Sequence, residues 1–269
     1  MTPLAIDDPR DPRVADYLSV RERDLVGRDG RFIAEGMVVI EKLIAAGRHP
    51  LRSVLVAEHR LETLAPRLAG LADEVPIYVA SQAVMDAVVG FHIHRGVLAV
   101  GERAEPTPEA MLDGLPPRAL VVGLAGIANH DNMGGLFRNA AAFGADAVLL
   151  DSDSCDPLYR KAIRVSVGAA LTVPFATLGP AQDLAEMLAQ QGFEVLALSP
   201  GGEERLADLT PAPRQAVLFG AEGPGLAPAL LARSRRLAIP MAGGFDSLNV
   251  ATTSGIVLHR LAELRNGVP

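Results

Sequence analysis

Asn132, Gly134 and Arg138 form the first group of residues whose types and spacing could do chemistry. They lie in GLAGIANHDNMGGLFRNAAAFGADAVLLD, where an apolar strand runs into a polar loop and then a helix. Asn132 is a good helix N-cap, and Gly134 permits close approach of another backbone. Arg138 follows about one turn further into a helix of small and apolar residues. We therefore expect its guanidinium to meet a ligand of the loop or a partner subunit.

Two further segments combine glycines with polar side chains after a strand. In QAVLFGAEGPGLAP the apolar strand ends at Gly220, and Glu222 follows among small residues. Glycines at the carboxyl end of a strand let a ligand contact the backbone directly. In RRLAIPMAGGFDSLNVATTSGIVLHRL a strand leads into the final helix, with Ser247 and Asn249 at its start, where such side chains cap backbone N–H groups. The two segments predict two walls of one ligand site.

The first segment also fits a different class of protein. A strand, a turn and a helix followed by a strand that closes on Asp151 are typical of a dinucleotide-binding unit, whose acidic residue binds a ribose. The spacing Gly-x-Gly-x-x-Gly is absent, which weakens that interpretation. An NAD-type α/β oxidoreductase nevertheless stays open as an alternative.

The elements that would position these residues alternate along the chain. In residues 1–105 we predict an amphipathic helix over FIAEGMVVIEKLIAAG, ending at Gly47, a helical stretch through Leu68 and a short helix over SQAVMDAVVG. They alternate with strands over SVLVA, PIYVA and GVLAVG. The proline-rich stretch 106–117 is predicted to be a linker. Residues 118–269 carry strands over RALVVGLAG, DAVLLD, EVLALS, QAVLFG and RRLAIP, and PLYRKAIRVSVGAA is predicted as a helix between them. Their apolar runs show little alternation, which indicates a mostly parallel α/β sheet with ligands at its carboxyl ends.

Composition bounds the class of protein. The chain has 269 residues, 49% of them hydrophobic and 21% charged, as in an ordinary soluble globular protein. A single cysteine excludes a disulfide scaffold, and no apolar run reaches the ~18 residues of a membrane helix, so we expect a cytoplasmic protein. The net charge of −7 argues mildly against nucleic acid. All basic residues except Lys42 and Lys161 are arginines. A guanidinium pairs with phosphate through two hydrogen bonds, but a codon bias toward arginine would give the same composition.

The three segments together resemble the SpoU/TrmH family of RNA ribose 2′-O-methyltransferases, within the SPOUT superfamily. The family's motifs are an Asn-x-Gly-x-x-x-Arg loop and helix, a strand ending in Gly-x-Glu-Gly, and Ile-Pro-Met followed by Ser-Leu-Asn-Val. The matching residues are Asn132, Gly134 and Arg138; Gly220, Glu222 and Gly223; and Ile239, Pro240, Met241, Ser247, Leu248, Asn249 and Val250. The stretch RVSVGAALTVPF is similar to the family's sequence between the first two motifs, and the resemblance covers roughly residues 118–265.

The first half is similar to the RNA-binding α/β domain, itself ribosomal-protein-like, that many family members carry ahead of the catalytic domain. Its landmarks are FIAEG with Glu35 and HRG with Arg95, where the family more often has His-Gln-Gly. We add Arg28 and Arg31 as RNA contacts, because a local cluster of arginines attracts phosphates despite an acidic total. His92 and His94 could be a metal pair, but no third ligand follows at a suitable spacing, so we predict no metal.

The resemblance implies a trefoil knot, a homodimer formed by the C-terminal domain, and S-adenosylmethionine as cofactor. It implies cofactor contacts at Gly220, Ile239, Met241, Leu248 and Asn249, and catalytic roles for Arg138, Asn132, Glu222, Ser247 and Asn249. The substrate would be RNA, with rRNA favoured over tRNA by the separate binding domain. A non-catalytic RNA-binding relative is disfavoured because the motif residues are all present.

A guanidinium is a poor base because its pKa lies above ~12. We therefore expect Arg138 to hold a phosphate and to stabilise the developing alkoxide when a ribose hydroxyl attacks a methyl carbon.

Overall fold

The computed structural model describes residues 2–18, 30–71, 74–244 and 247–267. Its strands are β1 Leu4–Ile6, β2 Arg31–Glu35, β3 Leu51–Ala57, β4 Ile77–Ala80, β5 Val97–Glu102, β6 Ala119–Ala125, β7 Ala147–Leu150, β8 Phe175–Thr177, β9 Glu194–Leu198, β10 Glu204–Arg205, β11 Arg214–Gly220 and β12 Arg235–Ala238. Its α-helices are α1 Met37–Ala46, α2 Glu58–Leu68, α3 Gln82–Val89, α4 Pro108–Asp113, α5 His130–Ala142, α6 Arg160–Val165, α7 Gln182–Gln190, α8 Pro228–Ala232 and α9 Val250–Arg265. Within the described residues no helix is both long and apolar enough to cross a membrane.

The chain folds into two compact units whose boundaries differ from the simple order of the sequence. The first unit contains the residues up to Ala104 together with Asp156–Thr172, and the second contains Glu105–Cys155 and the residues from Val173 onward. The sequence boundary at 118 had assigned α6 to the second domain, but its contacts lie with β2 of the first unit. The sequence pattern does not reveal which unit α6 packs in, because a helix with one apolar face could pack against either unit.

The first unit is built on a mixed sheet in the order β1-β4-β3-β5-β2, in which β5 runs antiparallel to both of its neighbours. The single helix predicted over residues 32–47 is wrong in its first part. Residues 31–35 form the buried strand β2, and Gly36, at φ 89°, turns the chain into α1. A short apolar run fits a strand or a helix equally well, which explains the error. The predicted helix end at Gly47 is confirmed, since Gly47 caps α1 in the left-handed conformation.

The helix predicted over residues 157–170 is also shorter than expected. It ends at Val165, Val167 has a positive φ of 53°, and a 3-10 turn follows over residues 169–171. A positive φ is unfavourable for a β-branched residue. The Lys42 Nζ donates to the Val167 carbonyl at 2.7 Å, so a tertiary contact supports this break.

The second unit contains a seven-stranded sheet whose strands all run parallel, in the order β10-β12-β9-β11-β6-β7-β8. The mostly parallel α/β sheet predicted from the apolar runs is confirmed, and every residue of β6 and β7 is buried. β11 lies beside β6 with Gly220 opposite Ala125, so the loops that leave these two strands start at the same edge.

The stretch 106–117 contains α4, with Thr107 as N-cap and Pro108 in its first turn. Met111 and Leu112 of that helix are buried in the hydrophobic core of the second unit. Proline is favoured at the first helical position, where its missing N–H costs nothing. The linker prediction rests on four prolines and the lack of a strand pattern in this stretch, and for that reason it misses the helix.

Candidate active site

The turn after β11 brings backbone atoms unusually close together. A Cβ atom on Gly220 would lie 2.4 Å from the carbonyl carbon of Gly225, so no other residue fits there without displacing the turn. Gly223 and Gly225 have φ values of 86° and 69°, in the region that favours glycine. The Gly225 N–H donates to the Ala221 carbonyl at 3.0 Å and closes the turn. The glycines predicted from the sequence are therefore required by the geometry of this loop.

Asn249 begins the final helix. Its Oδ1 accepts from the N–H groups of Ala251 at 2.9 Å and Thr252 at 3.2 Å, and so it is the predicted cap. Asn132 differs from its prediction, because Asn129 caps α5 by accepting from the Asp131 N–H at 2.8 Å. Asn132 lies inside the first turn of α5, where its side chain is not needed by the helix end.

Three polar side chains from three separate segments meet through hydrogen bonds. The Asn132 Nδ2 donates to Glu222 Oε1 at 2.5 Å, and the Asn249 Nδ2 donates to the same oxygen at 3.2 Å and to Asn132 Oδ1 at 2.9 Å. Asn132 is only 6% exposed. A carboxylate that accepts from two amide groups fixes the orientation of both. The sequence placed these three residues in three motifs, and the structure brings them together.

A cavity of about 580 Å³ opens at the carboxyl ends of β9 and β11. The predicted cofactor residues Gly220, Ile239, Met241, Leu248 and Asn249 line it, together with Glu222 and Ser247. Among the described residues that line this cavity, Glu222 alone carries a charge.

Ser199 and Pro200, which follow β9, also line the cavity and were not predicted from the sequence. Their position after an apolar strand adjacent to β11 was the available signal, since ligands gather at the carboxyl ends of parallel strands.

Arg138 does not line this cavity. Its side chain is exposed on α5 and forms no hydrogen bond with the described residues. The next residue, Asn139, points into the second unit: its Nδ2 donates to the Ala251 carbonyl at 2.7 Å and to Ser254 Oγ at 2.9 Å. α5 and α9 are thereby joined, and Gly135 allows the close approach, since a Cβ there would lie 2.7 Å from the Ala251 Cβ.

Asp151, on which the dinucleotide alternative rested, has a structural role. It is 1% exposed, its Oδ2 accepts from the Gly126 N–H at 2.8 Å, and its Oδ1 accepts from the N–H and hydroxyl of Ser154 at 2.9 and 2.6 Å. Both oxygens are therefore occupied by the protein. A ribose would have to displace these bonds.

Three of the four RNA-contact candidates, Arg31, Glu35 and Arg95, have polar contacts with neighbouring groups. Arg31 forms an ion pair with Asp16 at 2.6 Å, and Arg160 forms one with Glu35 at 3.2 Å. Arg95 is exposed and its Nη1 donates to the Glu35 carbonyl at 3.3 Å. Arg28 lies outside the described residues.

Comparison with known proteins agrees with this geometry. The SpoU rRNA Methylase family matches residues 119–259. A curated relative, an uncharacterised tRNA/rRNA methyltransferase of Mycobacterium bovis, is 40% identical over 263 residues, which cover 94% of this chain and 89% of the relative. The chain belongs to the SpoU rRNA methylase family. The resemblance drawn from the three motifs is thus confirmed.

Solved structures share this fold over nearly the full length of the chain. An AdoMet-bound rRNA methyltransferase from Sinorhizobium meliloti superimposes with a TM-score of 0.81 at 23% identity, covering 96% of this chain and 97% of that one. A structure described as an RNA 2′-O ribose methyltransferase gives a TM-score of 0.78 at 27% identity, covering 98% of this chain and all of that one.

Proposed function

We propose that this SpoU-family protein transfers a methyl group from S-adenosylmethionine to a ribose 2′-hydroxyl of rRNA. The observation that carries the proposal is the junction of Asn132, Glu222 and Asn249 at the mouth of a loop-lined cavity. The relatives named as RNA methyltransferases support the same reaction class. We infer that the first unit binds the RNA and the second transfers the methyl group, in the cytoplasm.

The cavity fits this cofactor better than a dinucleotide. Its volume of about 580 Å³ is that of a small-molecule site. When bound, S-adenosylmethionine supplies an electrophilic methyl group on a positively charged sulfonium. Among the described lining residues the single charge is the Glu222 carboxylate, which favours a cation, whereas the pyrophosphate of NAD would be repelled by it. With Asp151 also occupied, the oxidoreductase alternative loses its support.

Asn132, Glu222 and Asn249 act as one positioning group. Glu222 Oε1 accepts from both amides, so the carboxylate holds the two asparagines in one orientation. Asn249 Oδ1 is already used to cap α9, which ties the group to a rigid helix. Held in this way, the amides can orient the cofactor or the attacking hydroxyl without reorganisation during the reaction. Ser247 lines the same cavity and can add a hydroxyl to that group.

Arg138 would serve the cavity of a second copy in a homodimer. It does not line the cavity of its own chain, and its guanidinium is exposed on α5. α9, which packs against α5, leaves Ile256 41% exposed, and Leu248 just before that helix is 45% exposed. An arginine that arrives from the partner would stabilise the alkoxide and hold a phosphate, because its pKa is too high for a base at neutral pH.

A trefoil knot stays a proposal that the path of the chain supports. The strands β9 and β11 lie between β12 and β6 in the sheet. Nevertheless α9, which follows β12, packs on α5, which follows β6. The segment between β12 and α9 must therefore cross the carboxyl ends of β9 and β11. Stretching the unfolded chain from its ends in an optical trap should leave a contour shorter than the full chain. A full-length contour would exclude the knot.

The reaction is tested with methyl-labelled S-adenosylmethionine and rRNA from a strain that lacks this protein. A methyl group on the 2′-oxygen blocks alkaline cleavage of the adjacent phosphodiester, so label in alkali-resistant dinucleotides is expected. tRNA from the same strain is assayed in parallel. Label confined to bases, or found in tRNA alone, would contradict the proposal.

The shared site is tested by mixing two inactive variants, Arg138→Ala and Asn249→Ala. In a symmetric dimer with shared sites, mixed dimers hold one intact site, and about a quarter of wild-type activity returns after exchange of subunits. No recovery, with mixed dimers shown to form, would mean that each chain uses its own arginine.

A further inference from the structure

Two glycine turns of the first unit each carry an arginine side chain flat on the backbone. A Cβ on Gly36 would lie 2.7 Å from the Cδ of Arg95, and a Cβ on Gly96 would lie 2.7 Å from the Cγ of Arg60. Both glycines have a positive φ, 89° and 63°. The absence of a side chain at these positions lets the long arginine stems rest there while their charged ends stay at the surface. The landmarks FIAEG and HRG are therefore parts of one surface.

Phe91 extends this surface with an exposed aromatic ring. It is 39% exposed, and the guanidinium carbon of Arg160 lies 4.5 Å from the ring centroid. Arg160 is held in turn by Glu35, whose backbone carbonyl accepts from Arg95. The contacts thus form a continuous series from the Phe91 ring through Arg160 and Glu35 to Arg95. An arginine stacked on an aromatic face is a cation–π pair.

The loop that carries Phe91 is held by hydrogen bonds to Asp86. Asp86 accepts from the Ile93 N–H at 3.0 Å and from the Gln82 Nε2 at 2.6 Å, and it pairs with His92 Nδ1 at 2.7 Å. Ile93 is 1% exposed and anchors the loop in the core, while Gly90 ends α3 just before Phe91. Phe91 is therefore presented in a fixed position between two anchored residues, although its ring is not buried.

We propose that Phe91, Arg160, Arg95 and Arg60, here called the Phe91 platform, bind an unpaired nucleotide of the RNA substrate. This inference rests on the proposed function. The base would stack on the Phe91 ring, and the adjacent phosphates would pair with Arg95 and Arg60. Proteins that recognise unpaired RNA bases use aromatic rings and guanidinium planes for stacking in this way.

Charge favours RNA over a protein partner at this surface. The cations on the platform and on α6 are Arg60, Arg95, Arg160, Lys161 and Arg164. The carboxylates on the same elements are Glu35, Glu58, Glu62 and Asp86. One of these four, Glu35, is already paired with Arg160, and Asp86 is hydrogen-bonded to His92. The Glu35–Arg160 pair cancels one charge of each sign, which leaves an excess of one cation around an exposed ring, in a chain whose net charge is −7.

Fluorescence tests the platform directly, because the chain contains no tryptophan. Phe91→Trp introduces a single indole at the stacking position, and Leu4→Trp introduces one at β1, where Leu4 is similarly exposed at 41%. The probes are single-stranded RNA of about 12 nucleotides, a length within the usual range of single-strand sites, and a duplex of the same length.

We expect single-stranded RNA to quench the Phe91→Trp indole in a saturable manner, the duplex to quench it more weakly, and neither to quench the Leu4→Trp indole. Equal quenching of both variants, or none while the RNA is bound, would overturn the inference. A spectrum that changes with protein concentration instead of RNA would show that the ring meets another copy of the chain, which also overturns it.

Affinity gives a second measurement that does not depend on the indole. Phe91→Ala should weaken binding of the single-stranded RNA about 5- to 100-fold, while Leu4→Ala leaves it unchanged. Both side chains are exposed, and circular dichroism checks that each variant folds. Equal affinity of Phe91→Ala and wild type would contradict the platform. Neither measurement requires methyl transfer. RNA stacking without methylation would refute the proposed reaction but support the Phe91 platform. Methylation without stacking would support the reaction and refute the platform.

Discussion

The cavity of the second unit and the Phe91 platform of the first use charge and glycine in different ways. The described lining of the cavity has one carboxylate and no cation, whereas the platform is built from arginines. At Gly220 the missing side chain lets one backbone segment approach another, and at Gly36 and Gly96 it lets an arginine lie on the backbone. Glycine therefore has two uses: at Gly220 it closes the turn beside the cavity, and at Gly36 and Gly96 it makes room for the arginines of the proposed RNA surface.

This contrast explains why net charge was a poor guide to function. The chain is acidic overall, at −7, and composition argued mildly against RNA. The arginines of the platform nevertheless lie together, while the Glu35 carboxylate is engaged in an ion pair with Arg160. Local arrangement, and not the total, sets the field that a phosphate meets.

Replacing Arg138 should have the largest effect on methyl transfer. Arg138→Ala is expected to lower kcat about 10²–10³-fold, the usual cost of removing one group that stabilises an oxyanion. Arg138→Lys should retain intermediate activity, because lysine keeps the positive charge but loses the paired N–H donors of the guanidinium. Binding of S-adenosylmethionine, measured by calorimetry, should barely change in either variant, since Arg138 does not line the cavity of its own chain.

Arg233→Ala is the matched control for the second unit, because Arg233 is an exposed arginine paired with Glu186. It should leave methyl transfer unchanged. A large loss of cofactor affinity in Arg138→Ala would contradict the separation between the cofactor cavity and the arginine. A lysine variant that gains rate at high pH would show that residue 138 acts as a base.

Glu222→Gln should have the next largest effect, and it acts on the cofactor. Glutamine keeps an oxygen for Asn132 and Asn249 but removes the only charge among the described lining residues. We expect the affinity for S-adenosylmethionine to fall about 10-fold, or ~1.4 kcal/mol. S-adenosylhomocysteine, whose thioether is neutral, should lose less. Equal losses for both ligands in calorimetry would mean that Glu222 acts only by holding the asparagines.

The sequence predicted the parts of the site that depend on local backbone. The glycine turn after β11, the cap at Asn249 and the parallel strands all follow from short-range patterns. It could not predict that Glu222 and Asn132 share a hydrogen bond, because they lie 90 residues apart. For the same reason it placed Asn132 at the cap instead of Asn129, since both are good caps and only the tertiary contact separates them.

The platform shows a second limit of sequence reasoning. The RNA contacts of Glu35 and Arg95 stay a prediction, and the structure adds a neighbour that the sequence did not indicate, the guanidinium of Arg160 beside Glu35. Phe91 and Arg160 are 69 positions apart in the chain, and nothing in either local sequence predicts their contact. The break of the predicted helix at Gly36 was equally hidden, because the apolar run on both sides suits either a strand or a helix.

Arg95→Ala should have a smaller effect, which is confined to RNA binding and its dependence on salt. Removing one phosphate contact is expected to weaken RNA binding about 3- to 10-fold at low salt and to lower the slope of log affinity against log salt by about 1. Arg10→Ala is the control, since Arg10 is an arginine of the same unit whose side chain is 88% exposed. Filter binding across a salt series measures both. An unchanged slope would make Arg95 an ordinary surface charge and leave the platform with stacking alone.

The smallest expected effect is that of Asp86→Asn, which tests whether the platform depends on a rigid loop. The Ile93 N–H, together with His92 and Gln82, lowers the pKa of Asp86 below its ordinary value. A carboxyl whose pKa is lowered in the folded state stabilises the fold above its unfolded pKa of about 3.9, and that contribution is lost as the pH falls through the lowered pKa. We therefore expect Asp86→Asn to lower the Tm by about 1–3 °C at pH 7, and the difference in Tm from wild type to close as the pH falls below about 4.

Glu62→Gln, which removes one exposed carboxylate from α2, should show no such difference in Tm. A gap of the same size at pH 3 and pH 7 would mean that the charge of Asp86 does not hold the loop, and quenching of the Phe91→Trp indole should then be insensitive to a further Asp86→Asn substitution.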